Sequence, residues 1–482
     1  MESISGEWQF LFAQDGGFIR LPVWGHIPLS AGARRVIEHP DFVRLQQVKQ
    51  LLFVHYAFPG ATHTRLEHSI GTYHIALQML SSLLGNPHNV DPDTGQPRIT
   101  PQEGRVFLAA ALLHDIGHHP CAHLLDNLPL RDAAGRRLFI SHEERARHYL
   151  DPDRPGGLAG ILRESWQIED PRLVAHAIAP ATPGPGPNDD NLPARLLSGI
   201  VDPDKMDYLV RDANACGVPY GHIDTERLLE SLVLDAGPTG RRIAITEKGV
   251  APLESLIFSK YMMFRHIYWH HTARIASAMF GRFLQDGVAA RVVAPEWFYR
   301  LSDDALLLRL SAPEVAGAFP AGELVVRLSR RDLYKRAVTL YPAPGVGEPE
   351  FRLGAEEVAH LVQLHRDPER RRAAEAAMCA VLSDRLGTPL AGHEVLLDIP
   401  EPGSVFDVED FNELRVVVSS QRDRRRHSLV PFNEYGFSQM KSEFAQSFER
   451  YSRKVRVLCR PDLREAVLDA WEAVWAAVRA VA

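Results

Sequence analysis

Apolar residues recur along most of this chain at intervals of three and four, the spacing that turns one side of a helix toward a core. From 64 to 84, Leu66, Ile70, Tyr73, Leu77 and Leu80 keep that spacing and predict one long helix. A second helix is expected over about 102–118, carrying Val106, Leu108, Ala109, Leu112 and Leu113. The pattern that starts near Ser30 runs on through Phe42, Leu45, Val48, Leu51 and Leu52, and Pro40 inside it predicts two helices rather than one. A short extended segment is expected ahead of it, over 17–24. The stretches 85–101 and 180–190 are dense in Pro and Gly and read as loops, the second mobile by composition.

Helical spacing resumes at Leu192 and dominates to about 286, interrupted over 237–249 by a hairpin pattern through Arg242 to Thr246. After about 290 the texture changes. Runs that read as β, over 324–328, 395–399 and 414–418, alternate with helical patterns over 356–366 and 370–386. The expected fold class is mainly α, with a helical domain over 1–290 and a smaller C-terminal α+β domain over 291–482. A length of 482 residues agrees, since a single core stops growing at roughly 250–300 residues.

Composition excludes several classes. With 45% hydrophobic and 24% charged residues the chain is neither disordered nor fibrous. Lys and Arg total 54 against 61 Asp and Glu, so the field of the whole molecule does not attract a polyanion. A phosphate-bearing substrate then needs a local cluster of cations, and broad nucleic-acid binding is not favoured. The one dense basic run, Arg422, Arg424, Arg425 and Arg426, reads as a solvated loop. Cys121, Cys216, Cys379 and Cys459 form no Cys-x-x-Cys pair, which argues against a disulfide framework and for a reducing cytoplasm. Neither a standard export signal nor a membrane-spanning segment is expected.

The chemistry lies in the histidines, 22 in all. His63, His68, His114, His118, His119 and His123 crowd one part of the sequence together with Arg65, Asp115 and Asp126. His114 and Asp115 follow an apolar run on a helix expected to be buried, where a charged pair needs a partner or a metal. His118, four residues on, is expected one turn along the same face. Imidazole and carboxylate suit a divalent metal with positions left open for water and substrate. Farther on, Asp204, Tyr208, Arg211 and Asp212 recur at helical spacing, and Asp202 followed by Pro203 reads as a helix N-cap.

His68 within HTRLEHSIG, the His114-Asp115 pair within HDIGHHPCAH and Asp204 within VDPDKMDY, in that order, resemble the H…HD…D metal signature of the HD-domain phosphohydrolases. More narrowly they resemble the deoxynucleoside triphosphate triphosphohydrolases, both the bacterial dGTPase-like enzymes and the SAM-and-HD-domain enzymes of animals. Collinear blocks from about 17 to 280 carry the likeness. It implies an HD-domain helical catalytic core, one divalent metal (Mn, Fe, Co, Ni, Zn or Mg) on His68, His114, Asp115 and Asp204, and hydrolysis of dNTPs to deoxynucleoside and tripolyphosphate. It implies further that Arg65, Lys205, Lys260 and Tyr261 bind the triphosphate. Gln50, Leu51, Tyr208 and Asp212 would contact the sugar, with Leu51 excluding a 2′-hydroxyl, and Tyr268 would be a further substrate contact. His142 becomes the proton donor oriented by Asp126, and His118 and His123 face the phosphate. A homo-oligomer is implied as well.

Two departures stand out: Lys260 occupies a position where related enzymes often carry Arg, and no SAM-like module is expected ahead of the HD region. The competing readings are another phosphoester substrate (a nucleoside monophosphate, a cyclic or signalling nucleotide, or a single-stranded nucleic-acid end) on the same metal site, and a non-catalytic nucleotide sensor.

Overall fold

The computed structural model describes residues 6–126, 128, 130–131, 135–180, 191–237, 240–342, 347–400, 408–419, 427–438 and 440–481. The chain is 58% helical with a few small sheets, as the apolar spacing predicts. The mobile loop expected over 180–190 falls almost wholly outside the described residues, as does the basic run at Arg422, Arg424, Arg425 and Arg426.

A hairpin of β1 (Phe18–Leu21) and β2 (Gly25–Pro28) precedes α1 (Ala31–Ile37) and α2 (Pro40–Val43), which part at Pro40 as expected. The helical pattern does not continue to Leu52. A 3-10 turn over Arg44–Gln47 ends it, and the chain then bends so that Gln50 N–H donates to the His63 carbonyl and Lys49 bridges Thr64. The long α3 (Arg65–Gly85) packs between α4 (Pro101–Leu113) and α10 (Pro203–Cys216).

Thr100 and Glu103 form a capping box at the start of α4, and Pro101 fills its first turn. Residues Val106 to Leu113 are all buried, so α4 is apolar on every side and lies inside the core. It stops at Leu113 rather than running to 118; His114 to Gly117 form a turn. His118 therefore does not follow His114 on one helical face. Around α3 and α4 stand α5 (Ala122–Asp126), α6 (His142–Tyr149), α7 (Leu158–Trp166), α8 (Arg172–Ile178) and α9 (Leu192–Leu197). Asp202 caps α10 by accepting from Lys205 N–H at 2.7 Å, and Gly217, at φ 65°, closes that helix in the left-handed region.

After α11 (Thr225–Glu230), β3 (Leu232–Gly237) and β4 (Gly240–Thr246) make the expected hairpin. Then α12 (Val250–Met263) runs through a single π turn, Phe264–Tyr268, into α13 (His271–Ala289). Three short helices, α14 (Glu296–Arg300), α15 (Asp303–Leu310) and α16 (Pro313–Ala316), lead to α17 (Glu323–Ser329). The run over 324–328 is thus helix, not strand. Leu324, Val325 and Leu328 bury one helical face in the cluster that α13 also fills, and so short an apolar run carries no period of its own.

The remainder is α+β: β5 (Lys335–Leu340), α18 (Ala355–Arg366), α19 (Pro368–Leu386), β6 (Val395–Asp398), α20 (Val408–Glu413), β7 (Arg415–Ser419), β8 (His427–Pro431), α21 (Ser442–Ser452), β9 (Val455–Cys459), α22 (Arg464–Asp469) and α23 (Trp471–Arg479). Antiparallel β5-β9-β6 is covered by α19, α22 and α23. The other sheet has the order β3-β4-β7-β8, with β4 and β7 parallel, so strands from both sides of residue 290 share it. Phe411, Val416 and Phe432 accordingly join the core built on α3 and α4.

Candidate active site

The first turn of α3, the turn after α4 and the start of α10 converge on one point. His68 Nε2 lies 3.1 Å from His114 Nε2 and 2.9 Å from Asp204 Oδ1, and His114 Nε2 is 3.6 Å from that same oxygen. Asp115 joins them, its Oδ1 at 3.5 Å from His114 Nε2 and its Oδ2 at 3.8 Å from His68 Nε2.

The tautomers are set from behind. His68 Nδ1 donates to Asp207 Oδ2 at 2.8 Å and His114 Nδ1 to the Ala111 carbonyl at 2.9 Å, which leaves both Nε2 lone pairs aimed at the carboxylates. Two lone pairs and two carboxylates meeting in a buried place repel one another unless a cation sits between them. That donor set fits a divalent metal. The carboxylates pull on a proton as they would on a metal. Burial alone would lower His68, but Asp204 and Asp207 raise it to about 10, and burial would raise Asp204, yet His114 and His68 hold it well below the carboxylate range. Asp115, which burial would also raise, is held well below that range by Arg65, His118 and His114; Arg65 binds its Oδ2 at 2.7 Å.

Asp207 has no place in the sequence-level site. It is wholly buried and holds Arg211 through two hydrogen bonds of 2.8 Å, which uses Arg211 as a structural partner. Its signal was available: a carboxylate four residues before an Arg and three after Asp204, on a helix already singled out.

Beside the metal-type group stand three more imidazoles. The rings of His118 and His142 stack at 3.7 Å between centroids, and His123 lies 4.8 Å from the first and 5.3 Å from the second. His118 Nε2 reaches to 3.1 Å from Asp115 Oδ1, so the two groups adjoin. His142 Nδ1 is 2.9 Å from Asp126 Oδ2. Burial, with the Arg65 charge, holds His118 and His123 well below the usual imidazole value, so both are neutral at pH 7. Ser141, not His142, caps α6, accepting from Glu144 N–H at 3.2 Å.

These groups open into a cavity of about 1200 Å³. Gln50, Leu51, Lys205, Tyr208, Asp212 and Tyr268 line it. Asp212 has both oxygens engaged, Oδ1 by His63 Nε2 at 2.7 Å and Oδ2 by the Tyr268 hydroxyl at 2.7 Å; the π turn over Phe264–Tyr268 is what delivers that tyrosine. His63 is therefore a second unassigned participant. Lys205 Nζ bonds Asp202 Oδ2 at 2.5 Å and the Gly199 carbonyl at 2.8 Å. Two expected contacts are not brought to the cavity. Lys260 Nζ sits 5.9 Å above the Phe264 ring, and Tyr261 packs among Phe258, Phe444 and Phe448. The cations on the cavity wall are instead Arg65, Arg147, Lys205, Arg274, Arg282 and Arg371.

Residues 223–425 match the family model described as the HD associated region. The Bacillus subtilis protein YwfO is 31% identical over 274 residues, covering 56% of this chain and 56% of its own. The chicken deoxynucleoside triphosphate triphosphohydrolase SAMHD1 is 26% identical over 357 residues, covering 65% of this chain and 55% of its own. The chain thus spans little more than half the length of either relative. A phosphohydrolase crystal structure from Bacteroides thetaiotaomicron superposes with a TM-score of 0.63 over 92% of this chain and 99% of that one, at 20% identity, a likeness of fold. Among the described residues no helix is long and apolar enough to cross a membrane.

Proposed function

This chain belongs to the HD-domain phosphohydrolase family, and on that footing we propose that it is a metal-dependent hydrolase of deoxynucleoside triphosphates, releasing deoxynucleoside and tripolyphosphate. The observation that carries the reading is the convergence of His68, His114, Asp115 and Asp204 in one cavity, flanked by His118, His123 and His142. Residues of these types at these separations would hold a divalent cation next to imidazoles that can donate or accept protons. A divalent metal bound there would supply Lewis acidity at phosphorus and a more acidic water.

The side chains divide the remaining work. Arg65, already on Asp115, and Lys205 place positive charge where the α-phosphate would lie. His142, held by Asp126, protonates the departing 5′-oxygen as a general acid, while His118 and His123 face the developing charge. Asp207 and the Ala111 carbonyl keep the His68 and His114 lone pairs forward. Tyr268 and His63 fix Asp212 where it can receive a sugar hydroxyl, and Leu51 presents carbon to C2′. A homo-oligomer in a reducing cytoplasm belongs to the same proposal.

The test is a panel of the dNTPs and rNTPs, each incubated with the purified protein and Mn or Mg, with products identified. Tripolyphosphate from dNTPs supports the reading; pyrophosphate or monophosphate as the first product, or turnover of a cyclic nucleotide or an oligonucleotide end alone, replaces it with another phosphoester activity.

A further inference from the structure

The cavity continues past the metal-type centre to a wall made by α13, α18, α19 and β6, and there the charges do not balance. Five guanidiniums, of Arg274, Arg282, Arg371, Arg372 and Arg456, stand among four carboxylates, of Asp286, Glu369, Glu375 and Asp398.

Each carboxylate is already taken. Asp398 receives Arg274 Nε at 2.9 Å and an Arg456 amino group at 2.8 Å. Glu375 receives Arg282 at 2.6 Å and the Leu397 N–H at 3.0 Å, Asp286 receives Arg282 Nε at 2.9 Å, and Arg372 donates to Glu369 at 3.4 Å and is ion-paired with Asp286 at 3.5 Å. Arg371, near the start of α19, is left over. Its side chain lines the cavity, and among the described residues its guanidinium has no hydrogen bond and no ion pair. Desolvation and the charges of Arg282 and Arg274 all disfavour that cation, and the attraction of Glu375 and Asp398 does not cancel them. His365, beside it on the wall, donates Nδ1–H to the Ile399 carbonyl at 3.2 Å; burial and the Arg371 charge hold its pKa down to about 4, so it stays neutral and adds no charge of its own.

A half-buried arginine on a cavity wall, with no partner of its own, is open to an anion. Its five donors form a planar fork suited to two oxygens of a tetrahedral anion. The one positive charge left over favours an anion, and the fork matches two oxygens of a phosphoryl group. From this juxtaposition we infer that the wall around Arg371 is a second anion subsite of the cavity, one that takes a phosphoryl group, with Arg274 beside it as a further source of positive charge. The subsite stands whether or not the metal-type centre hydrolyses dNTPs. Its phosphoryl group comes either from the far end of the molecule held at that centre or from a separate phosphate compound.

Isothermal titration of the full chain with inorganic pyrophosphate, in chelator so that no metal contributes, reads the subsite directly. Arg371→Gln should weaken binding by roughly 10–100-fold, and Arg371→Lys, which keeps the charge and loses the fork, by less. Circular dichroism checks that each variant is folded; should Arg371→Gln fail to fold, Arg371→Lys carries the test, with a weakening of about 3–10-fold expected from the lost second hydrogen bond. Unchanged pyrophosphate affinity in the folded variant overturns the inference. A repeat titration at saturating dGTP separates the sources: competition assigns the phosphoryl group to the same molecule, and simultaneous binding to a separate one. Pyrophosphate binding without any dNTP hydrolysis would leave the subsite in place and remove only the proposed activity.

Discussion

At the residue scale, the adjacent His114 and Asp115 were legible because a charged pair that ends a buried apolar run requires a metal or a counter-charge to meet it. Asp207 was legible only by its spacing to Asp204 and Arg211, since its burial and its bond to His68 leave no mark in the sequence. Lys260 and Tyr261 came from resemblance alone, and on α12 they pack against Phe264 and among Phe258, Phe444 and Phe448 instead. Asp115→Ala and His68→Ala are each expected to abolish hydrolysis and to lower bound metal by more than the ~10–100-fold typical of losing an outer partner, with the helical circular dichroism kept; elemental analysis of the purified variants checks it. Asp207→Asn should fall within that smaller range, since it frees the tautomer without removing a ligand. His142→Ala should lower kcat by roughly 10²–10⁴-fold with metal retained. Because Ser141 makes the cap of α6, its melting temperature should stay near wild type, and a variant with normal kcat would take His142 out of the mechanism. At Leu51 a 2′-hydroxyl would lose its hydrogen bonds against carbon, about 1–3 kcal/mol, which is roughly a 5–150-fold preference for dGTP over GTP in kcat/KM. Equal values would contradict the sugar contact.

At the scale of elements, period and caps located α3, α4 and α10 well, and α10 to its capping residue. What they missed was where α4 ends. The sequence His114 to His118 still looks helical, but the turn is fixed by contacts far away in the chain: Arg44 donates to the Ile116 and His118 carbonyls, and α6 packs directly on Gly117. A Cβ at Gly117 would overlap the His142 carbonyl oxygen and stand 2.9 Å from the Ala146 nitrogen, both backbone atoms that have little freedom to yield. Gly117→Ala should therefore push α6 away and separate His142 from His118. The expected outcome is a loss of kcat approaching that of His142→Ala, together with a fall in melting temperature that His142→Ala does not show. Wild-type kcat in Gly117→Ala would mean that the spacing of α6 does not matter to the chemistry. The helix α17 marks the other limit of pattern reading, since its seven residues are too few to separate a period of 3.6 from a period of 2.

At the scale of the molecule, the helical core and the later α+β region were both legible. The joining of β4 to β7 was not, because strands some 170 residues apart leave no local trace of their pairing. Whole-molecule titration follows from burial. His119 and His365 are held at about 4, mainly by desolvation, whereas an unfolded histidine titrates near 6.5. Between those values the unfolded chain binds more protons, so stability should fall as pH drops from about 6.5 to 4, by on the order of 3 kcal/mol for the fully buried His119 alone. Asp303, raised to about 6 by burial, works in the opposite sense and offsets a part. Melting curves between pH 7 and 4.5 check this, and a flat profile would show that these histidines are not buried neutral. The central claim, that the cavity is a metal-dependent hydrolase of dNTPs, is tested most directly by ³¹P NMR of dGTP incubated with the protein after its metal content has been measured. The account predicts tripolyphosphate appearing with deoxyguanosine, and none from Asp115→Ala. Intact dGTP beside a fully metal-loaded protein would contradict it.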